Sequence, residues 1–208
     1  MKRFGQLAIG VVLALAWTAA ASAQTAEGKW SAQVDTGVAV GHSTSPTIGG
    51  ELDYRWKPPL ELAFEIGYIG NIATGDLEDR AQVIGDALGV TADPDQSALY
   101  YDFGVRYRLL PDGKWNPYVA FGLGAAYVNT NTDFQGADLS NVQLGTDLDG
   151  GISKFFMMVG TGVNVPFKAK YFFDGSLRYG RVFAREGEIE DDTGVNTFRI
   201  QVGVGVRF

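Results

Sequence analysis

The chain alternates. From Leu99 to Leu109, the residues Leu99, Tyr101, Phe103, Val105, Tyr107 and Leu109 share one parity, while Tyr100, Asp102, Gly104, Arg106 and Arg108 share the other. The C-terminal stretch repeats this: Phe198, Ile200, Val202, Val204, Val206 and Phe208 alternate with Arg199, Gln201, Gly203, Gly205 and Arg207. A period of two is the mark of a β-strand, whose successive side chains point to opposite faces. Six further segments follow the rule: Trp30 to Val40, Ile48 to Lys57, Leu60 to Ile69, Tyr118 to Val128, Phe155 to Val165 and Tyr171 to Tyr179. The pattern predicts an all-β fold of eight strands. Ten residues at about 3.3 Å each, tilted by roughly 40°, rise about 25 Å, the height of an outer-membrane apolar band. A soluble lipocalin-like barrel or sandwich would need an apolar interior and a polar outer face. Here that arrangement would bury arginine and glutamate beside glycine and expose many aromatics to water, so the patterning favours a membrane barrel. Three residues break the apolar parity: Gly50, Gly175 and, if its strand continues, Arg181. Arg181 is expected at the rim, because a basic side chain at mid-membrane costs roughly 2–4 kcal/mol.

The connections alternate as well. Lys57-Pro58-Pro59, Pro111-Asp112-Gly113-Lys114 and Pro166-Phe167-Lys168-Ala169-Lys170 are short and turn-rich. Asn71 to Ser97, Asn129 to Ser153 and Ala184 to Gly194 are longer and polar, and His42 to Thr47 is the one short link on their side. Short periplasmic turns and long external loops are the asymmetry of an antiparallel up-and-down transmembrane β-barrel. An even strand number puts both termini in the periplasm. Trp56, Trp115, Tyr118 and Tyr171 are expected in the lower aromatic girdle, and Tyr68, Tyr101 and Tyr127 in the upper one.

The N-terminus adds an address. Lys2 and Arg3 precede the apolar run Leu7 to Trp17, and Ala21-Ser22-Ala23 is an A-x-A cleavage site. Residues 1–23 therefore read as a signal peptide cleaved after Ala23, and residues 24–208 as the barrel domain. Cleavage removes two basic residues and no acids, which moves the net charge from −7 to −9. An acidic chain is a poor partner for nucleic acid, which needs a basic face. No later apolar run is long enough for a transmembrane helix, so a membrane crossing must be a closed barrel. The expected location is the bacterial outer membrane. There is no cysteine, which excludes disulfides, thiolate metal sites and cysteine nucleophiles.

Three stretches carry a resemblance: Lys114-Trp115-Asn116-Pro117-Tyr118-Val119-Ala120-Phe121-Gly122-Leu123-Gly124, Leu177-Arg178-Tyr179-Gly180, and Thr197 to Phe208. They resemble the small outer-membrane β-barrel superfamily of the OmpA transmembrane domain, OmpX-like and opacity-type proteins. The resemblance implies that Phe208 is the terminal aromatic read by the outer-membrane assembly machinery. With no residues after Phe208, a cell-wall tether of the full-length OmpA kind is not expected.

The interior parity collects the acids Asp35, Glu51, Asp53, Glu61, Glu65, Asp102 and Asp174 and the bases Arg55, Lys57, Arg106, Arg108, Arg178, Arg199 and Arg207. An eight-stranded barrel has room for little more than side chains. Opposite charges there are expected to pair, because an unpaired buried charge costs several kcal/mol. Glycines at 104, 122, 124, 160, 162, 203 and 205 are expected to make room for the arginines. The network reads as a polar plug or as a narrow gated ion path, and the size argument favours the plug.

His42, the only histidine, lies near Ser43 and Ser45. That invites a lipid-modifying enzyme, but no motif aims these side chains at one another as general-base catalysis requires. Acidic clusters fill the long loops, among them Asp76, Glu78, Asp79 and Asp86. They lack calcium-loop spacing and read as a solvated surface. Gly122-Leu123-Gly124 and Gly160-Thr161-Gly162 lack the rest of a dinucleotide motif. The expectation is a non-enzymatic surface scaffold with no cofactor and no metal. Its expected partners are outer-membrane lipids and lipopolysaccharide, and its expected state is a monomer. The alternatives are a narrow passive porin and, more remotely, the lipid-modifying enzyme.

Overall fold

The computed structural model describes residues 28–110, 114–135, 149–168, 170–183 and 194–208. The signal-peptide and cleavage-site expectations lie outside these residues. So do the turn at 111–113 and the acidic stretches at 136–148 and 184–193.

Eight strands close into one barrel in sequence order: β1 (Trp30–Val40), β2 (Thr44–Lys57), β3 (Leu60–Ile69), β4 (Thr91–Arg108), β5 (Asn116–Gln135), β6 (Asp149–Pro166), β7 (Tyr171–Val182) and β8 (Val195–Arg207). Every neighbour is antiparallel, and β8 returns to β1 along Ser31↔Arg207 to Val40↔Phe198. Closure leaves no free edge, as a sheet in lipid requires. Among the described residues no helix is long and apolar enough to cross a membrane.

Followed from strand to strand along the register, Phe172 on β7 leads through Gly205, Gln33, Glu51, Glu65, Asp102, Gly124 and Phe156 back to β7 at Val182, ten residues further along. A shear of ten on eight strands tilts them by about 40° and gives a backbone radius of about 8 Å. Such a cylinder is filled by its own side chains.

The predicted parity sorts outside from inside. Tyr101, Phe103, Val105 and Tyr107 are exposed on the outer face, whereas Tyr100, Asp102, Arg106 and Arg108 are buried within. Trp56, Trp115 and Tyr171 lie exposed near the short-turn end, and Tyr68, Tyr101 and Tyr127 toward the long-loop end. Tyr118 is a correction: it is 1% exposed and points inward, so it is no girdle residue. Arg181 falls on the outer parity next to the last residue of β7, with its guanidinium 5.3 Å from the Phe183 ring centroid.

The strands run further than predicted at the loop end. β4 begins at Thr91 and β5 continues to Gln135, paired from Thr91↔Gln135 downward. The segment Asn71 to Ser97 is therefore not an open loop. It holds a helix, α1 (Gly75–Leu88), and the first residues of β4 from Thr91. Thr74 caps α1 by accepting from the Leu77 amide, Asp76 and Glu78 sit at the positive end of the helix dipole, and Gly89 ends it at φ 69°. Leu77, Ala81 and Gly85 form its buried stripe, packed with Ala73, Ile84 and Ala92 against the start of β4. Because Gly85 approaches the Val90 carbonyl, an added Cβ would lie 2.7 Å from it.

Candidate functional site

The interior is the candidate site, and it has two storeys. In the turn-side storey, arginine and carboxylate alternate in space. Arg108 Nε lies 2.8 Å from Glu61 Oε2, and Arg55 Nε lies 3.6 Å from Glu61 Oε1. Arg106 donates to Asp53 at 3.2 Å and also to Glu51. Arg178 donates to Glu51 at 2.6 Å and also to Glu65. Arg199 donates to Glu65 at 2.9 Å and to the Tyr100 hydroxyl, which in turn donates to Glu65 at 2.8 Å. The result is a ladder, Asp53–Arg106–Glu51–Arg178–Glu65–Arg199, that climbs across the lumen. The register explains it: Glu51, Glu65 and Asp102 stand side by side on β2, β3 and β4. Like charges on neighbouring strands repel, and long arginines from β4, β7 and β8 reach in to offset them.

Aromatic rings complete the ladder. Arg106 lies over the Tyr118 ring at 4.1 Å and Arg199 over the Tyr100 ring at 4.3 Å. Tyr118 donates to both oxygens of Asp174, at 3.1 and 3.0 Å. These rings and the amides of Gln33, Asn164 and Gln201 belong to the interior but were missing from the predicted network. The signal for the rings is an aromatic on the polar parity facing glycine on the adjacent strand, as Tyr100 faces Gly67 and Tyr118 faces Gly162.

The glycines are a second correction. Of those expected to admit arginine, only Gly160 does, with Arg178 Cγ 3.0 Å from where its Cβ would stand. Gly122 and Gly203 instead accommodate Asp102 and Asp35, Gly162 and Gly205 the rings of Tyr118 and Phe172, and Gly104 and Gly124 the backbone of the neighbouring strand.

The loop-side storey is mainly apolar, although Ser45, Thr47, Thr130 and Thr197 are also buried there. Ala39, Ile69, Ala98, Ala126, Val128, Phe156, Met158 and Val182 form one buried apolar cluster, with Ile72 folded in from above. Phe156 lies 5.2 Å from Tyr100 by ring centroids, so the apolar layer rests directly on the ladder.

Not every predicted charge is paired. Among the described residues Asp35, Asp102 and Asp174 have no basic nitrogen within 4 Å. Arg207 lies at the turn end with its guanidinium 5.2 Å from the Phe172 ring, and Lys57 is exposed there beside Trp56. Phe208 exchanges backbone hydrogen bonds with Trp30 at 3.0 and 2.8 Å, where the last strand meets the first.

His42 Nε2 lies 3.2 Å from Glu78 Oε2, an exposed pair at the outer rim beside a cleft of about 500 Å³. Ser43 donates to the Asn71 carbonyl at 3.5 Å, and Ser45 accepts from the Asn71 amide at 2.6 Å. Neither serine is hydrogen-bonded to His42, so the residues do not form a nucleophile–base pair.

The sequence matches a family described as the outer membrane protein beta-barrel domain over residues 9–208. No curated protein matches it. Among solved structures, Neisserial surface protein A (NspA) superposes with a TM-score of 0.58 at 14% identity, over 86% of this chain and 96% of that one. The N-terminal barrel of Pseudomonas aeruginosa OprF gives 0.53 at 15% identity, over 88% and 100%. Ail, the attachment invasion locus protein of Yersinia pestis, gives 0.52 at 13% identity, again over 88% and 100%. At these identities the likeness is one of fold.

Proposed function

We propose that this chain, which belongs to the outer membrane protein β-barrel domain family and so resides in the bacterial outer membrane, is a closed scaffold that holds structured loops at the cell surface. The observation that carries this reading is the double closure of the lumen. The ladder from Asp53 to Arg199 crosses the turn-side half, and the apolar layer around Phe156 and Met158 fills the loop-side half. Water and ions would have to displace paired charges and then cross an apolar layer. At a radius of about 8 Å, side chains already occupy the space.

The displayed surface is α1 with the extended ends of β4 and β5. It carries Asp76, Glu78, Asp79 and Asp86 on the helix and Asp93, Asp95 and Asp133 on the strands. An acidic, hydrogen-bonded platform suits contact with a partner at the surface. It also suits divalent cations shared with lipopolysaccharide phosphates. The barrel acts as a monomer in contact with outer-membrane lipids. It is exported through cleavage after Ala23 and assembled through Phe208 at the end of its last strand.

Conductance of the purified barrel in a planar lipid bilayer tests the reading. The expected trace stays at baseline across the voltage range. Steady single-channel steps would replace the scaffold with a narrow passive porin, whose filter would be the same ladder.

A further inference from the structure

The two ends of the barrel carry opposite charge. At the loop end, α1 and the projecting ends of β4 and β5 hold the acids from Asp76 to Asp133 against one base, Arg80. The turn end is the reverse. Lys29, Lys57, Lys114, Lys168 and Lys170 are all exposed there, whereas Asp53, Glu61 and Asp174 are buried in the lumen. Glu27 and Asp112 lie outside the described residues, and counting both still leaves a basic rim. Each of these lysines adjoins an aromatic in sequence: Lys29-Trp30, Trp56-Lys57, Lys114-Trp115, and Phe167-Lys168 with Lys170-Tyr171 across one turn. The five rings are between 44% and 66% exposed. At the loop end Tyr68, Tyr101 and Tyr127 adjoin no lysine or arginine.

Girdle aromatics settle at the boundary between acyl chains and headgroups. A lysine beside such a ring keeps its stem on apolar surface and its ammonium at the level of the lipid phosphates. Lys57 shows the geometry, with Nζ 5.9 Å from the Trp56 ring centroid. Four of the five lysines form one arc. Arg207 N donates to Lys170 O at 2.7 Å, Phe208 and Trp30 exchange backbone hydrogen bonds, and Arg55 N donates to Lys29 O at 2.7 Å. The arc from β7 to β2 thus covers three strand spacings, about 14 Å. Arg207 adds charge behind it, since its Nε and Nη2 have no hydrogen-bond partner among the described residues. A zwitterionic headgroup offsets its phosphate with its own ammonium, whereas an anionic one carries a net charge that this arc complements. We infer that the turn-side rim selects anionic glycerophospholipid from the periplasmic leaflet through Lys29, Lys57, Lys168 and Lys170. The inference rests on the proposed orientation, with the short turns in the periplasm.

The chain supplies its own reporters, because every tryptophan but Trp17 lies on this rim: Trp30, Trp56 and Trp115. The mature barrel is placed in phosphatidylcholine vesicles in which a minor fraction of either phosphatidylglycerol or phosphatidylcholine carries bromine near the top of its acyl chains. Quenching of tryptophan fluorescence then ranks the two headgroups at the rim. The association constant for phosphatidylglycerol should exceed that for phosphatidylcholine by about fivefold, the effect of one lysine at an anionic surface, or more. It should fall toward parity in the triple variant Lys57→Gln, Lys168→Gln, Lys170→Gln, and in molar salt, which screens exposed charges. Asp76→Asn with Asp79→Asn at the loop end should leave it unchanged. Equal quenching by the two lipids overturns the inference, as does a preference that survives the triple variant or molar salt, or one that the loop-end change abolishes. If the triple variant does not fold, the salt series on the parent decides. Channel steps in a planar bilayer would end the scaffold reading and leave the lipid preference standing, so the two fail separately.

Discussion

The turn-side half of the lumen is filled by Arg106, Arg108 and Arg178 among carboxylates, and the loop-side half by Ala39, Ile69, Phe156 and Met158. Both halves are buried, but they are held by different physics. In the ladder each inner member, Arg106, Glu51, Arg178 and Glu65, pairs with two others, so loss of one strands its neighbours in a medium that cannot solvate them. In the apolar layer each side chain contributes its own contacts, and a loss leaves a local cavity. One half is cooperative, and the other is close to additive.

The largest expected effect breaks the cooperative half. Glu65→Ala removes the acceptor of Arg178, Arg199 and Tyr100 together. It should destabilise the barrel by about 3–5 kcal/mol, the usual cost of stranding a buried charge, read from urea unfolding in detergent. Replacing Glu65 and Arg178 together by methionine should recover part of that loss, since an apolar pair leaves fewer stranded charges. A double variant as weak as the sum of its singles would show that the ladder is not cooperative.

Phe156→Ala breaks the apolar half and should cost about 3 kcal/mol. Its effect should add to that of Met158→Ala to within about 0.5 kcal/mol only if the two side chains do not share a cavity. The bilayer trace should stay closed in Phe156→Ala, because the ladder below remains intact. Current through this variant would mean that the apolar layer alone is the seal.

Two glycines sharpen the contrast between inside and outside. A Cβ at Gly67 would run into the Tyr100 hydroxyl, which the ladder holds in place, whereas Gly175 on the lipid parity meets nothing within 4 Å. Gly67→Ala should cost about 1–3 kcal/mol by overpacking, and Gly175→Ala should stay within about 0.5 kcal/mol of the parent. Equal midpoints for the two would show that Tyr100 is free to move.

Much of this was legible. Strict alternation in β4 and β8 reports a two-faced strand directly, and charge on one parity with aromatics on the other tells which face meets lipid. The division of the interior was harder to read. Ala39, Ile69, Ala98 and Val182 sit on the interior parity of four different strands. They become one layer only through the shear of the barrel, which places the end of one strand beside the middle of another. Tyr118 resembled a girdle residue because its position near a strand end says nothing about which way the ring turns. Helix α1 was legible in principle. Thr74, the first-turn acids, the spacing of Leu77, Ala81, Ile84 and Leu88, and the stop at Gly89 are all in the sequence, but a polar stretch between two strands has the composition of an open loop as well as of a short surface helix.

The smallest expected effect concerns a polar pair that the water surrounds. Arg106 and Asp53 are each 1% exposed, while the His42 and Glu78 side chains are 51% and 47% exposed. The same kind of contact is worth little when solvent competes for both partners, typically 0.2–1 kcal/mol or roughly nothing at physiological salt. His42→Ala should therefore leave the unfolding midpoint and the gel mobility of the unboiled barrel unchanged. It releases α1 only where Glu78 is tied to the β1–β2 connection, so limited proteolysis should reveal at most a faster cut within residues 71–90. Lipid A isolated from cells that overexpress the parent chain should be chemically unchanged. Altered lipid A that reverts with His42→Ala would make this rim a catalytic site and overturn the scaffold reading from outside the lumen. An intact helix and unaltered lipid would confine the energetic weight of the ion pairs to the ladder, where burial is what gives them their strength.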